Sequence, residues 1–172
     1  MKLLMVSDIH GDFKSLEKVL KNESFDKLVV LGDLFSYGKI ILDLNNNEII
    51  KLLKKYKDKL ILIRGNCDYF IDYEKIGLYA NDIITIRANN HDITLTHGNR
   101  YYRGFMPDFH GDIFASGHTH IPSIIKEGDM IYINPGSIGL PRSGSQKSYL
   151  VFGDNYIETK TINGELEKRM NI

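Results

Sequence analysis

Three times in the first 66 residues a short apolar run stops at a polar turn, and a helical pattern fills each gap between runs. The runs are Lys2 to Ser7, Leu28 to Leu31 and KLILIRGN, which ends at Gly65-Asn66. Between the first two, Phe13, Leu16, Val19 and Leu20 recur at helical spacing among charges, with Asp12 placed as N-cap. Between the second and third, Leu44 to Lys57 carries Ile49, Ile50, Leu52, Leu53 and Tyr56, and Asn45, Asn46 and Asn47 suit a turn and cap. A strand–helix–strand–helix–strand order of this kind predicts a parallel sheet with right-handed crossovers.

The second half differs. DIITIRANNHDITLTHG reads as two strands around a tight turn at Asn89 and Asn90. DIFASGHTH, MIYINPGS, SYLVFGD and YIETKTI are further short strands, so this half is antiparallel in flavour. The chain should start parallel and finish antiparallel, as a layered α/β fold. At 172 residues and 42% apolar it has material for one packed domain, read here as 1–172. Its 22 basic and 22 acidic residues cancel, which speaks against a long nucleic acid as partner. One cysteine excludes an internal disulfide framework and fits a reducing compartment, and no apolar run approaches a membrane span, so the expectation is a cytoplasmic protein.

The informative feature is what stands at the run ends. Asp8-Ile9-His10 closes the first run; Gly32-Asp33, Gly65-Asn66, His97-Gly98 and Gly117 to His120 close four others. In open α/β sheets, ligands bind where strands end. Five separated segments can therefore deliver Asp8, His10, Asp33, Asn66, His97, His118 and His120 to one crevice. Asp8/His10 and His118/His120 are i, i+2 pairs, which extended backbone would turn to one side. All seven are O or N donors without a thiolate, a set suited to Mn, Fe, Ni, Zn or Co and numerous enough for two ions if a carboxylate bridges. Taken singly each has a bland reading: Asp8 as a turn residue, His97 as a core histidine. The bland reading must hold for all seven at once.

In order, DIH, GD, GNCD, THG and GHTH resemble the calcineurin-like metallophosphoesterase signature, with Asp8, Asp33 and Asn66 spaced by 25 and 33 positions. The GNCD form, the small size and NPGS at 134–137 resemble its YfcE-type phosphodiesterase branch. The resemblance implies a sandwich of two mixed β-sheets flanked by helices. It implies a phosphoric diester hydrolase with two divalent ions, manganese the leading choice and Ni, Fe, Zn or Co the others. Asp8, His10, Asp33 and His120 would hold the first ion, and Asp33, Asn66, His97 and His118 the second. A hydroxide bridging the two metals would attack phosphorus in line, with Asp33, Asn66, His97 and His118 as the catalytic set. A small phosphodiester is then the substrate, and a homo-oligomer is compatible with the family.

Cys67 departs from the wider family, which often has histidine there to protonate the leaving group. A thiol is a poor substitute, so good leaving groups should be preferred. The stretch 99–112 has little room for the helix often found there, and Arg100, Tyr101, Tyr102 and Arg103 read as a solvated rim, with a grip on a base and phosphate as the alternative. His91 and His110 read as surface residues. Two other functions stay open: a metal-free interaction scaffold of the kind seen in a retromer subunit, which tolerates loss of ligand histidines, and a phosphomonoesterase or nucleotide pyrophosphatase on the same metals.

Overall fold

A computed structural model describes residues 1–35, 44–69, 73, 77–108 and 110–172. Two sheets face each other. The six-stranded sheet runs β11-β10-β9-β1-β2-β3, where β1 is Leu3–Val6, β2 Lys27–Val30, β3 Leu60–Leu62, β9 Ser148–Phe152, β10 Tyr156–Thr161 and β11 Leu166–Asn171. The five-stranded sheet runs β4-β5-β6-β8-β7, with β4 Ile83–Ala88, β5 His91–Thr96, β6 Ile113–Ala115, β7 Pro122–Glu127 and β8 Met130–Pro135. Strands β1, β2 and β3 pair in parallel, as the helical crossovers require, and β9 joins β1 antiparallel. Both sheets are therefore mixed, as expected. In the second half, β5–β6 and β6–β8 are parallel, two pairings the antiparallel flavour of that half had hidden.

Strand alternation divides the interior into two cores. Leu4 and Val6 of β1 join the helices on the outer face, with Leu16, Val19, Leu20, Ile49 and Leu53. Leu3 and Met5 point the other way, into the layer between the sheets with Ile93, Leu95, Ile113 and Ile133. A strand buried on both faces has no polar position left, which is why β1 reads as an unbroken apolar run.

Helix α1 spans Phe13–Asn22, and Asp12 caps it by accepting the Ser15 N–H at 3.1 Å. Helix α2 spans Leu44–Lys55, so the three asparagines lie inside its start rather than ahead of it, and Lys57–Lys59 forms a separate 3₁₀ turn. Asn89 and Asn90 both adopt left-handed φ, 50° and 68°, as a two-residue turn between β4 and β5 demands. No helix among the described residues is long and apolar enough to cross a membrane.

Candidate metal centre

The turns after β1, β2, β3, β5 and β6 meet at one edge of the sandwich, and all seven expected donors come with them. Their backbone is not the extended one inferred from the i, i+2 spacing. Asp8, His10, Asp33, His118 and His120 have φ of 52°, 46°, 52°, 66° and 63°, all left-handed. Outside glycine this region is uncommon and strained. The pairs converge because each strand end curls over at the ligand, not because the chain continues straight. Backbone bonds hold the curls: Asp8 N–H to Gly32 O at 3.0 Å, His10 N–H to Asp33 O at 3.0 Å and Gly117 N–H to His97 O at 2.8 Å. A side chain is impossible at Gly65, where a Cβ would stand 2.0 Å from Asp33 Oδ1.

Asp33 is central. Its Oδ1 accepts the Cys67 backbone N–H at 2.8 Å. Its Oδ2 faces both sides, 3.8 Å from His10 Nε2 and 3.6 Å from His97 Nε2. Burial alone would raise this carboxyl, but His97 and the Cys67 N–H outweigh it and hold it at about 2. On one side, His120 Nε2 lies 3.2 Å and His10 Nε2 3.9 Å from Asp8 Oδ1, and the His10 and His120 rings stack at 5.1 Å. On the other, His97 Nε2 meets Asn66 Oδ1 at 3.0 Å, and the His118 ring stands edge-on to His97 at 5.1 Å.

The histidines are oriented from behind. His120 Nδ1–H donates to Leu140 O at 2.5 Å and His97 Nδ1–H to Leu31 O at 2.7 Å, which turns each Nε2 inward. Burial lowers the His10 ring despite Asp33 and Asp8. Burial also lowers His118, helped by His97. His97 moves the opposite way: burial opposes its charge, but Asp33, Asp8 and the Leu31 carbonyl raise it above 6.5. The main cause of the rise is Asp33, whose Oδ2 lies 3.6 Å from His97 Nε2.

Asp8 Oδ1 and His10 Nε2 are buried and have no hydrogen-bond partner among the described residues. Asp8, His10 and His120 form one group whose donor atoms lie within 4.8 Å of one another; His10, Asp33 and Cys67 form a second, and Asp8, Asp33 and His97 a third. Two donors on one transition metal at about 2.0–2.2 Å each stand some 3–4 Å apart, so these spacings fit a cation. Orphaned acceptors in a dry, acidic crevice fit it too.

Residues outside the seven brace them. Asp68, buried in the GNCD segment, accepts from Asp33 N–H at 2.8 Å, Gly65 N–H at 3.0 Å and Tyr73 O–H at 2.6 Å. Burial raises its carboxyl even so. Ser137 Oγ donates to Asp8 O at 2.7 Å, and Asn134 Nδ2 donates to Gly117 O at 2.8 Å and Thr119 Oγ1 at 3.1 Å. The NPGS turn therefore clamps two ligand turns together. The sequence offered Asn134 and Ser137 only as the end of a strand and part of the family resemblance, with no role at the centre. Nothing in the local pattern set Asp68 apart from Asp33. His91 pairs with Asp112 at 2.6 Å and His110 is exposed, both outside the centre. Arg103 pairs with Glu127 and Tyr102 is exposed, as a rim should be.

The calcineurin-like phosphoesterase superfamily domain matches residues 1–154. Phosphodiesterase YfcE of Escherichia coli (strain K12) is 28% identical over 173 aligned residues, covering 96% of this chain and 94% of that protein. The structure of Yfce, a phosphoesterase from E. coli, superposes with a TM-score of 0.89 at 25% identity, covering all of both chains. Wild-type Vps29 complexed with Zn2+ from Entamoeba histolytica has a TM-score of 0.63 at 19% identity, covering 99% of both chains, a likeness of fold alone. With five Asp-, Asn- and His-bearing turns converging in order along the chain and the family domain matched along most of its length, the chain belongs to the calcineurin-like phosphoesterase superfamily.

Proposed function

We propose that the chain is a phosphodiesterase working with two divalent cations, manganese the first choice. Asp8, His10, Asp33 and His120 would hold one; Asp33, Asn66, His97 and His118 the other. The single observation that carries this reading is the pair of buried, unpartnered acceptors, Asp8 Oδ1 and His10 Nε2, flanking Asp33 Oδ2. A protein-only function would leave them unpaired at a cost of about 1–3 kcal/mol each. Such cations, when bound, polarise a phosphoryl oxygen and lower the pKa of water.

The chain's own residues supply order. His97 and His120 present Nε2 because Leu31 and Leu140 hold their other nitrogen. Asp33 turns Oδ2 toward both halves while Cys67 N–H fixes Oδ1, so Asp33 is the residue the two cations would share. In-line displacement then relies on leaving groups that depart without a proton. Cys67 is buried, its Sγ accepts from Asn66 Nδ2 at 3.4 Å, and a thiol is in general a weaker acid for this task than an imidazolium. Good leaving groups should be preferred. We read the substrate as a small diester, the domain as 1–172 because β10 and β11 extend the sheet that begins with β1, and the setting as the cytoplasm.

The test is elemental analysis of the purified protein beside hydrolysis of aryl and alkyl phosphodiesters of graded leaving-group pKa, with bis-p-nitrophenyl phosphate as the reference. Two metals per chain and a rate falling steeply with leaving-group pKa are expected. A metal-free protein that cannot be loaded would sink the reading, and a flat dependence would remove the leaving-group preference.

A further inference from the structure

Beside the centre lies a cleft of about 440 Å3, a volume within the range of small-ligand sites. Asn66, a proposed metal ligand, forms part of its wall, so the cleft opens directly off the reaction site. Arg64, Asp82, Arg100 and Tyr101 are among its other lining residues. The loop rim thus splits into two parts: Tyr102 and Arg103 face solvent and Glu127, while Arg100 and Tyr101 border the cleft.

One carboxylate serves two guanidinium groups here. Arg64 Nε and Nη2 lie 2.8 and 2.6 Å from Asp82 Oδ1, and Arg100 Nη1 lies 3.7 Å from Asp82 Oδ2. Arg64 N–H also donates to Asn81 O at 2.9 Å, which pins the neighbouring Asp82 opposite it. Asp68, on the inner wall, is committed to Tyr73 and to backbone N–H groups. The two arginines and Asp82 therefore leave one net positive charge. Arg100 carries most of it in usable form, since its side chain is 66% exposed and its contact with Asp82 is long. A guanidinium has five N–H donors in a planar fork matched to phosphate oxygens.

We propose that this cleft is a second anion subsite, taking a phosphate on one arm of the diester, with Arg100 as its principal contact. The favoured substrates are then phosphodiesters bearing an additional phosphate, such as a nucleotidyl ester with a second phosphate on its sugar. This rests on the phosphodiesterase reading above. Metal-free proteins of the same fold would have no use for cations aimed at the side of the centre.

Binding of thymidine 3′,5′-bisphosphate and thymidine 5′-phosphate to the manganese-loaded protein, measured by titration calorimetry, tests the subsite without turnover. The bisphosphate should bind about tenfold tighter, or about 1.4 kcal/mol, well beyond the gain of about twofold from simply offering two phosphates. In Arg100→Gln the ratio should fall to about that statistical value, and Arg100→Lys should retain part of the preference. Equal affinities in the wild type, or an undiminished ratio in Arg100→Gln, overturn the subsite. Hydrolysis of the p-nitrophenyl ester of thymidine 5′-phosphate, with and without a 3′-phosphate, is read in parallel. If neither ester is cleaved while the binding ratio holds, the phosphodiesterase reading fails and the anion subsite stands.

Discussion

The two halves of the centre are held in different ways. Around Asp8, His10 and His120, the His120 ring and the Asp8 carboxylate are fixed from behind, yet the buried Asp8 Oδ1 and His10 Nε2 face each other and Asp33 Oδ2 without a hydrogen bond. Around Asn66, His97 and His118, His97 Nε2 meets Asn66 Oδ1 at 3.0 Å and the His118 ring stands edge-on to His97. The first half is shaped for a charge that the polypeptide lacks. In the second, Asp33 raises the His97 ring, so a proton there competes with a cation. Asp33 Oδ2 belongs to both.

The largest effect should come from that shared oxygen. Asp33→Ala should cut turnover of bis-p-nitrophenyl phosphate by more than about 100-fold, the upper end for residues that merely support a ligand, and lower metal content toward none. Loss of only one ion per chain would show the halves to be independent and break the comparison. Next, Asn134→Ala unties Gly117 and Thr119 from the NPGS turn. Metal affinity should drop by about 10–100-fold in a chelator competition, with the circular dichroism spectrum unchanged. An unaltered affinity would mean that the ligand turns hold themselves.

A smaller effect separates the halves by pH. Because Asp33 raises the His97 ring above its ordinary value, metal competes with a proton there below that raised value. Apparent affinity should rise with pH up to that raised value and level off above it. A chelator competition across about pH 5 to 9 checks this, and an affinity independent of pH would remove the competition. The smallest effect is a control remote from the centre. Glu23 pairs with Lys2 and Lys160 and accepts the Tyr149 O–H; burial opposes its charge, but these partners hold it below 4.5. A depressed carboxyl stabilises the fold above its unfolded value and loses that contribution as pH falls through the folded one. Glu23→Gln should cost about 1–2 kcal/mol in urea unfolding at neutral pH, the gap closing below about pH 4, with metal content unchanged.

The seven residues that converge could be named from the chain because each stands at the end of an apolar run, and a polar residue at a strand end is a local event. What braces them was less legible. Asn134 and Ser137 act across more than 100 residues on Asp8 and over 15 residues on Thr119, and no spacing announces such contacts. The two strands missed, β7 with PSIIKE and β11 with LEKRMN, are sheet edges, where a polar or charged strand is normal and period-2 alternation fades. The curl at Asp8, His10, His118 and His120 was misjudged as extended because residue spacing is blind to the sign of φ.

Those five left-handed ligands have a consequence for how the protein tolerates change. Each holds a conformation that an ordinary L-residue avoids by about 1–2 kcal/mol, and glycine alone would occupy it freely. Glycine at 118 should therefore melt at a higher temperature than alanine at 118, although both have lost the imidazole. Drift toward a sturdier, inert descendant is downhill at five places at once, and only the work done at the crevice keeps the chain from sliding there.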